Sequence, residues 1–239
     1  PSYRRVWIDK VVSQLEPVYV ELINRFNRLL KQRSYFWRSE NFQKGQSSEI
    51  IESFDIQMSL ISTRIFRRRR RALSKIKPYL VYWHSHLSKS EEQVDINYLS
   101  GLENVIQNEE EEEATICKKI SELLFNQRQL EAITGKCNIG PHRDDIEFLI
   151  NNFSVRKYGS SGQQRTFILA LKMAEMDLLY KTLNVPPILI LDDVLAELDI
   201  SRQNLLLNSV GRKSQCIISA THLDKLSQSF LDSSQMINL

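Results

Sequence analysis

The stretch that decides the fold of this chain has two halves joined by a run with helical spacing. The first half reads Tyr158-Gly159-Ser160-Ser161-Gly162-Gln163-Gln164-Arg165, and the second reads Pro186-Pro187-Ile188-Leu189-Ile190-Leu191-Asp192-Asp193. The joining run carries an apolar stripe at helical spacing, formed by Phe167, Leu171, Ala174, Leu178 and Leu179. The unbroken apolar run before the acid pair is typical of a strand buried on both faces. The pattern predicts a loop, a helix, a buried strand and two acids at the strand's carboxyl end.

The loop before the helix has the residues of a helix amino terminus. Gly159 and Gly162 allow the backbone to approach a partner closely, and Ser160 or Ser161 can cap the helix. The first-turn amides of a helix are unpaired and carry about half a positive charge, so such an end suits a phosphate. Taken alone, the loop favours an ordinary capped helix over a phosphate site.

The acid pair that follows the strand shifts the preference from an ordinary capped helix towards a ligand-binding site. Asp192 and Asp193 lie at the carboxyl end of the predicted strand, where open α/β sheets place their ligands. One carboxylate there can hold Mg²⁺, and the next can orient an attacking water. The alternative is a pair of solvated acids. Loop, helix, strand and acid pair in this order are harder to obtain by chance than either half.

These segments resemble the motifs of a known group of proteins. Ser160-Ser161-Gly162-Gln163 is similar to the signature motif of ABC-type ATPases, residues 188–193 to a Walker B strand, and Ala196-Glu197-Leu198-Asp199 to a D-loop. Two segments narrow the resemblance to the RecF family of bacterial DNA-repair ATPases, which is related to SMC proteins. They are Gly140-Pro141-His142-Arg143-Asp144-Asp145 and Ser160-x-Gly162-Gln163-Gln164-Arg165. The match covers most of the chain and includes Arg4-Arg5-x-Trp7-Ile8-Asp9 and Leu30-Lys31-Gln32-Arg33 near its start.

The resemblance implies a role for individual residues. Asp192 would hold Mg²⁺ and Asp193 would position the attacking water, with ATP as the nucleotide. Asp193 stands where ABC-type proteins usually have glutamate, and its shorter side chain implies slow hydrolysis. The residues implied to contact ATP are Ser160, Ser161, Gly162, Gln163, Asp199 and His222. The four loop residues would reach the γ-phosphate of a partner subunit, and for His222 a surface histidine is an equal alternative.

Positive and negative charges are unevenly placed along the chain. Residues 1–90 hold 18 Lys and Arg against 7 Asp and Glu, whereas residues 91–135 hold 3 against 11. The remaining residues hold 11 of each sign, so the net charge is +3. Two interpretations stay open. The basic helices pair with the acidic one inside a single arm, or they offer a positive field to nucleic acid.

Five consecutive arginines, Arg67 to Arg71, cannot all point the same way on a helix. One stripe at helical spacing nevertheless contains Arg64, Arg67, Arg68, Arg71 and Lys75. From composition, a solvated helix face and phosphate contacts explain this stripe equally well. The resemblance to a DNA-binding family favours phosphate contacts, so these five residues are the predicted DNA-binding set.

The predicted fold class is an α/β ABC-type ATPase head lobe with an inserted, mainly α-helical arm domain. Residues 1–135 carry helical stripes and form the arm. Residues 136–239 form the carboxyl-terminal half of the lobe, with the signature, Walker B and D-loop segments. Within the arm, one helix is predicted to stop or kink near Pro78, and Gly135 is predicted to end the last helix.

Shorter elements are predicted from local patterns. Val94 to Leu99 reads as a short strand, and Asp145 to Phe153 as a strand and hairpin that turns at Asn151-Asn152. Ser201 is a candidate cap for a helix after the D-loop, and Gln215 to Ser219 reads as a last buried strand.

Three further features of the sequence bear on its class. Cys117, Cys137 and Cys216 are scattered, which predicts free thiols in a reducing compartment such as the cytoplasm. No apolar run is long enough to span a bilayer and no signal peptide is present, so a membrane partner is not expected. The sequence contains no Gly-x-x-x-x-Gly-Lys-[Ser/Thr] segment, the loop that cradles phosphates. The resemblance therefore implies an amino-terminally truncated chain that does not hydrolyse ATP by itself.

By resemblance, the intact protein acts in DNA repair, replication, recombination and the SOS response. It would bind single-stranded and gapped double-stranded DNA, form an ATP-dependent homodimer, and load recombinase with RecO and RecR. One alternative is another SMC-like ATPase head, which would need a heptad coiled coil longer than residues 1–135 provide. The other is a non-enzymatic scaffold that binds only DNA or protein, and a phosphate loop upstream would decide against it.

Overall fold

The computed structural model describes residues 1–38, 48–88, 92–102, 111–192, 198–210, 215–219 and 234–237. These residues group into two compact units. Unit 1 consists of Pro1–Lys77 and Val94–Tyr158, and unit 2 consists of Pro78–Gln93 and Gly159–Leu239. The boundary between an arm and a lobe at residue 135 remains a prediction.

Helices make up most of the described chain. They are α1 (Ser2–Leu15), α2 (Tyr19–Arg38), α3 (Ser48–Ser88), α4 (Glu113–Thr134), α5 (Val155–Tyr158), α6 (Ser161–Leu183) and α7 (Ile200–Val210). The strands are β1 (Val94–Leu99), β2 (Asp145–Ile150), β3 (Phe153–Ser154), β4 (Leu189–Asp192) and β5 (Cys216–Ser219). Within the described residues, no helix combines the length and the apolar character needed to cross a membrane.

The apolar stripes of the sequence become the cores of the two units. In unit 1, burial follows the helical period on α1, α3 and α4, as shown by Ile8, Val11, Val12, Met58, Ile61, Ile65, Ala72, Ile76, Ile116, Ile120 and Leu124. In unit 2, the predicted stripe of α6 is buried throughout, from Phe167 to Leu179. Side chains removed from water at this spacing supply the main driving force for helix packing.

Gly135 and Pro78 are the two residues predicted to interrupt helices of the arm, and the structure tests both predictions. Gly135 ends α4 with φ 63° and ψ 20°, and its amide donates to the Glu131 carbonyl at 2.7 Å, as predicted. Of the stop or kink predicted near Pro78, the stop is wrong, because α3 continues through Pro78 to Ser88. A proline inside a helix costs about 3 kcal/mol. Burial of Leu80 and Leu87, both fully enclosed, offsets this cost beyond the proline.

The predicted hairpin is present in unit 1. β2 and β3 pair antiparallel, with Ile150 opposite Phe153, and Asn151 and Asn152 have φ of 49° and 65°. A two-residue turn with positive φ at both positions matches the twist of the flanking strands, and asparagine tolerates it. β1 lies on the other side of β2, with Val94 opposite Ile150 and Leu99 opposite Asp145.

β4 and β5 form a parallel pair in unit 2, with Leu189 opposite Cys216 and Asp192 opposite Ser219. The prediction that the first of these strands is buried on both faces is wrong for the described residues. Leu191 is 4% exposed, but Ile190 is 69% exposed, and Ile217 on β5 is 51% exposed. A strand needs a packed layer on each face to be fully buried, and the described residues cover only the Leu191 face.

Candidate functional site

The Ser160 loop is built as a capping box at the amino end of α6. Ser160 has φ −61° and ψ 160°, and its Oγ accepts a hydrogen bond from the Gln163 amide at 3.2 Å. In return, Gln163 Oε1 accepts from the Ser160 amide at 2.8 Å. Of the two predicted caps, the structure therefore selects Ser160. A capping hydroxyl can still donate its own hydrogen, so Ser160 keeps the ability to contact a ligand.

The loop presents its first residues to solvent while its glutamines face inward. Ser160, Ser161 and Gly162 are exposed, whereas Gln163 and Gln164 are half-buried. Gln164 Nε2 donates to the Gly159 carbonyl at 3.0 Å, and Gln163 Nε2 donates to Glu92 Oε1 at 2.8 Å. Both ends of the Gln163 amide are thus engaged inside unit 2.

Asp192 lies at the carboxyl end of β4, as predicted for a ligand-binding acid. Its side chain is exposed, and Oδ1 accepts a hydrogen bond from the Ser219 hydroxyl across the parallel pair. Asp193, the predicted catalytic residue, lies outside the described residues, as does His222. No group of three or more His, Cys, Asp or Glu with metal-binding geometry occurs among the residues that the structure describes.

Asp199 is the cap of α7. Its Oδ1 accepts from the Arg202 amide at 3.0 Å, and its Oδ2 lies 3.3 Å from Arg202 Nε. Ser201, the cap expected from the sequence, instead lies inside the helix, because Asp199 offers a carboxylate one residue before the first helical position. Ala196 and Glu197 of the predicted D-loop lie outside the described residues.

The predicted DNA-binding stripe lies on α3 in unit 1, and its arginines meet acidic residues. Arg64 Nη2 lies 2.9 Å from Glu113 Oε1, which lowers the pKa of Glu113 through the hydrogen bond. Arg67 donates to the Glu111 carbonyl. Glu16 forms ion pairs with Arg68 and Arg71, with nitrogen–oxygen distances of 2.8 and 3.8 Å. Lys75 is exposed.

The contacts of Arg64 and Arg67 with Glu113 and Glu111 support the pairing interpretation, and the stripe stays partly open to solvent. The side chains of Arg64, Arg68 and Arg71 remain 42%, 25% and 57% exposed within their pairs. Exposed ion pairs contribute about 0–1 kcal/mol, because water screens the charges and two long side chains lose freedom. Phosphates can therefore compete for these arginines.

Arg69 belongs to the same arginine run but lies in the core of unit 1, only 2% exposed. It makes a two-pronged pair with Asp9, at 2.9 and 3.0 Å, and contacts Asp144 Oδ2 at 3.1 Å. Nη1 also donates to the Pro141 carbonyl at 2.8 Å. Burial alone would lower the pKa of Arg69, but the surrounding side-chain oxygens raise it. The largest of these effects comes from the Tyr98 hydroxyl, followed by Tyr19 and Asp9.

Two segments that resemble the family, Arg4 to Asp9 and Gly140 to Asp145, meet at this cluster. Arg4 pairs with both oxygens of Asp145 at 2.8 and 2.7 Å, and Arg5 donates to the Asp144 carbonyl at 2.7 Å. The hydrogen bonds from Arg4 lower the pKa of Asp145. The Gly140 to Asp145 segment therefore attaches α1 and α3 to the start of β2, the central strand of the β1–β2–β3 sheet, a role that the sequence alone did not indicate.

A second buried charge cluster ties α2, α3 and α4 together. Arg33, Asp55 and Glu131 are each at most 1% exposed. Arg33 Nε donates to Glu131 Oε2 at 2.7 Å and Nη1 donates to Asp55, which also accepts from Arg128 at 2.6 Å. The sequence held a signal for both clusters, since Arg33 and Arg69 each occupy a core position of an apolar helical stripe.

No protein-family model matches this chain. The DNA replication and repair protein RecF of Synechococcus sp. (strain CC9605) is 47% identical over 224 residues, which cover 94% of this chain and 61% of that protein. The DNA replication and repair protein RecF of Parasynechococcus marenigrum (strain WH8102) is 44% identical over 238 residues, 99% of this chain and 64% of that protein. The chain thus spans a little under two thirds of these relatives.

Solved structures agree with these relatives. The recombination mediator protein RecF in the RecFOR pathway has been solved as RecF-ATP and as RecF-ATPrS, each with a TM-score of 0.82. They are 29% and 28% identical and cover 94% and 95% of this chain, and 58% and 59% of those chains. The fold class predicted from the motifs, an ABC-type ATPase head with a mainly helical arm, is confirmed by this likeness. On the identities and the shared fold, this chain belongs to the RecF family.

Proposed function

We propose that this chain is part of an ATP-binding DNA replication and repair protein. The observation that carries the proposal is the 47% identity, over 94% of the chain, to a relative named DNA replication and repair protein RecF. The likeness to RecF-ATP supports ATP as the nucleotide. The exposed loop at the amino end of α6 and the exposed acid at the end of β4 offer the chemistry that such a ligand needs.

In this proposal the loop acts across a dimer interface. Ser160, Ser161, Gly162 and Gln163 contact the γ-phosphate of ATP held by a second copy, and Asp199 and His222 complete the contacts. Asp192 holds Mg²⁺ and Asp193 orients water. An exposed carboxylate at a strand end, with Ser219 engaging one of its oxygens, fits a hard cation that keeps several of its waters. Bound there, Mg²⁺ would offset the charge of the phosphates.

The partners follow from the same family membership. We propose binding to single-stranded and gapped double-stranded DNA through Arg64, Arg67, Arg68, Arg71 and Lys75. Recombinase loading with RecO and RecR, in recombination and the SOS response, is the corresponding role, with the bacterial cytoplasm as its place. The partial exposure of the paired arginines supports this surface.

The test of the proposed function is Ser160→Arg in the intact protein. The long cation would clash at a dimer interface but leaves the subunit's own nucleotide contacts in place. ATP-driven dimerisation, followed by sedimentation, should be lost, while calorimetry should give an ATP affinity near that of the wild type. Lys172→Ala, an exposed change further along α6, serves as the control and should leave both properties intact. If Ser160→Arg abolished ATP binding as well, the loop would serve its own subunit and the proposal would fail.

A further inference from the structure

In unit 2, the last turns of α3 contact α6 and α7, and Glu92 contacts the Ser160 loop. Trp83 Nε1 donates to Asp177 Oδ2 on α6 at 2.7 Å, and the ring of His84 lies 6.1 Å from that of Phe167. On the other side, Arg202 Nε of α7 donates to the Leu87 carbonyl at 2.8 Å. The end of α3 is thus fixed to both helices that follow the predicted nucleotide-binding segments.

Glu92 is the residue through which this anchored region reaches the loop. One oxygen, Oε1, accepts from Gln163 Nε2 at 2.8 Å, and the other, Oε2, lies 3.7 Å from Nε2 of the fully buried His84. Burial lowers the pKa of His84, which disfavours its charged form, and its Nε2 makes no hydrogen bond at this distance. Within the described residues, the Glu92 carboxylate therefore accepts its hydrogen bond from Gln163.

The carboxylate decides which way the Gln163 amide faces. A side-chain amide carries a donor at one end and an acceptor at the other. In the observed orientation, the donor faces Glu92 and the acceptor receives the Ser160 amide. If the amide were reversed, two acceptors would meet at Glu92 and two donors would meet at Ser160. Only the observed orientation closes the capping box that positions Ser160.

We infer that Glu92 is a positioning residue, which sets the Gln163 amide and thereby holds Ser160 in the geometry needed to contact nucleotide. This inference rests on the proposed function of the loop. It also assigns a role in the nucleotide site to a residue far upstream in the sequence, in a segment predicted as part of the helical arm. The competing view is that Glu92 merely fastens the end of α3 to α6.

An exchange of donor and acceptor separates the two views. Gln163→Glu keeps an oxygen for the Ser160 amide but places a second carboxylate against Glu92, so the loop should lose its geometry. The double variant Glu92→Gln/Gln163→Glu restores one donor and one acceptor with their sides exchanged. Glu92→Ala removes the acceptor altogether. Glu175→Ala, which removes a half-buried glutamate paired with Lys172 on the same helix α6, is the matched control.

Two readouts are measured in the intact protein. Without nucleotide, hydrogen exchange of the peptide spanning 158–168 reports whether the capping box is closed. With ATP, sedimentation gives the dimerisation constant and calorimetry gives the ATP affinity. We expect Gln163→Glu and Glu92→Ala to weaken ATP-driven dimerisation about tenfold, the effect of losing one hydrogen bond to a charged group. Exchange of the 158–168 peptide should become several-fold faster, and ATP affinity should not change.

The double variant should return both readouts close to the wild type, and Glu175→Ala should not move them. If the double variant is as impaired as Gln163→Glu, or if Glu92→Ala changes neither readout, the positioning role is wrong. A wild type that does not dimerise with ATP would instead refute the proposed function of the loop. Exchange of the 158–168 peptide would then decide the role of Glu92 by itself.

Discussion

Arg69 shows how one residue in a charged run can have a different role from its neighbours. Its guanidinium is satisfied by two carboxylates and a backbone carbonyl, and Tyr98 and Ser100 hydrogen-bond the same Asp144 carboxylate. A buried charge is tolerated when it is paired and fully hydrogen-bonded, and removing one partner leaves the others desolvated. The cluster therefore makes Arg69 a structural residue and not part of the DNA-binding surface.

Replacing Arg69 should destabilise the protein far more than replacing the next arginine. Arg69→Met leaves Asp9 and Asp144 without their shared counter-charge, and the expected loss is about 3–5 kcal/mol in the free energy of unfolding. Arg70→Met, at a half-buried position beside Phe66, should cost about 1 kcal/mol or less. Urea unfolding of both variants measures the difference. Equal losses in the two variants would refute the structural role of the cluster.

At the scale of the element, α3 combines three roles along 41 residues. One face carries the apolar stripe of unit 1, and another carries the basic stripe. Its last turns, after Pro78, contribute Leu80, Trp83 and Leu87 to the core of unit 2. The helix persists through the proline because tertiary packing on either side outweighs the lost hydrogen bond.

The basic stripe of α3 can be tested by its salt dependence. Each phosphate contact contributes about −0.9 to the slope of log affinity against log salt concentration on duplex DNA. Replacing Arg64, Arg67, Arg68 and Arg71 with Gln should make this slope shallower and weaken binding to all sequences alike. Gapped DNA titrated at several salt concentrations measures it. An unchanged slope would mean that these arginines serve only their pairs with Glu16 and Glu113 and the contact with the Glu111 carbonyl.

At the scale of the molecule, the described residues include a buried histidine in unit 2, His84, and a half-buried one in unit 1, His142, and charging either of them opposes folding. Burial lowers the pKa of His84 in unit 2, where Glu92 and Arg202 are its charged neighbours. Burial also lowers the pKa of His142 in unit 1, beside Arg143, Asp144 and Arg5. In both cases the folded state binds a proton less readily than the unfolded chain, whose histidines titrate near 6.5. The contribution of each neutral imidazole to the free energy of unfolding is therefore fully present above about pH 6.5 and declines as the pH falls below that value.

The thermal midpoint of the protein should therefore fall as the pH is lowered from 7 to 5. Each kcal/mol of lost stability lowers the midpoint of a chain of this size by about 2–4 °C. The double variant His84→Gln/His142→Gln should show a flatter profile over this range. His86→Gln, at an exposed position of the same helix as His84, should keep the slope of the wild type. A double variant with an unchanged slope would attribute the acid sensitivity to other groups.

The local features of this protein were determined by the sequence itself. A helix cap at Ser160 or Ser161, the Asn151-Asn152 turn and the end of α4 at Gly135 each depend on residues at most four positions apart. Their geometry is set by backbone preferences and short-range hydrogen bonds, so the pattern suffices to predict them. The resemblance of residues 140–145 and 160–165 to family motifs likewise indicated the family.

Only the tertiary structure decided which charges meet. Arg33 and Arg69 occupy apolar stripes, which signals burial, but Glu131 and Asp144 lie far away along the chain. Periodicity reports the face on which a side chain lies and not the partner that packs against it. The link from Glu92 to Gln163 had no sequence signal, and the exposure of Ile190 contradicted its apolar run. Long-range pairing depends on how helices and strands pack. A charged side chain selects one partner only when burial removes water as an alternative partner.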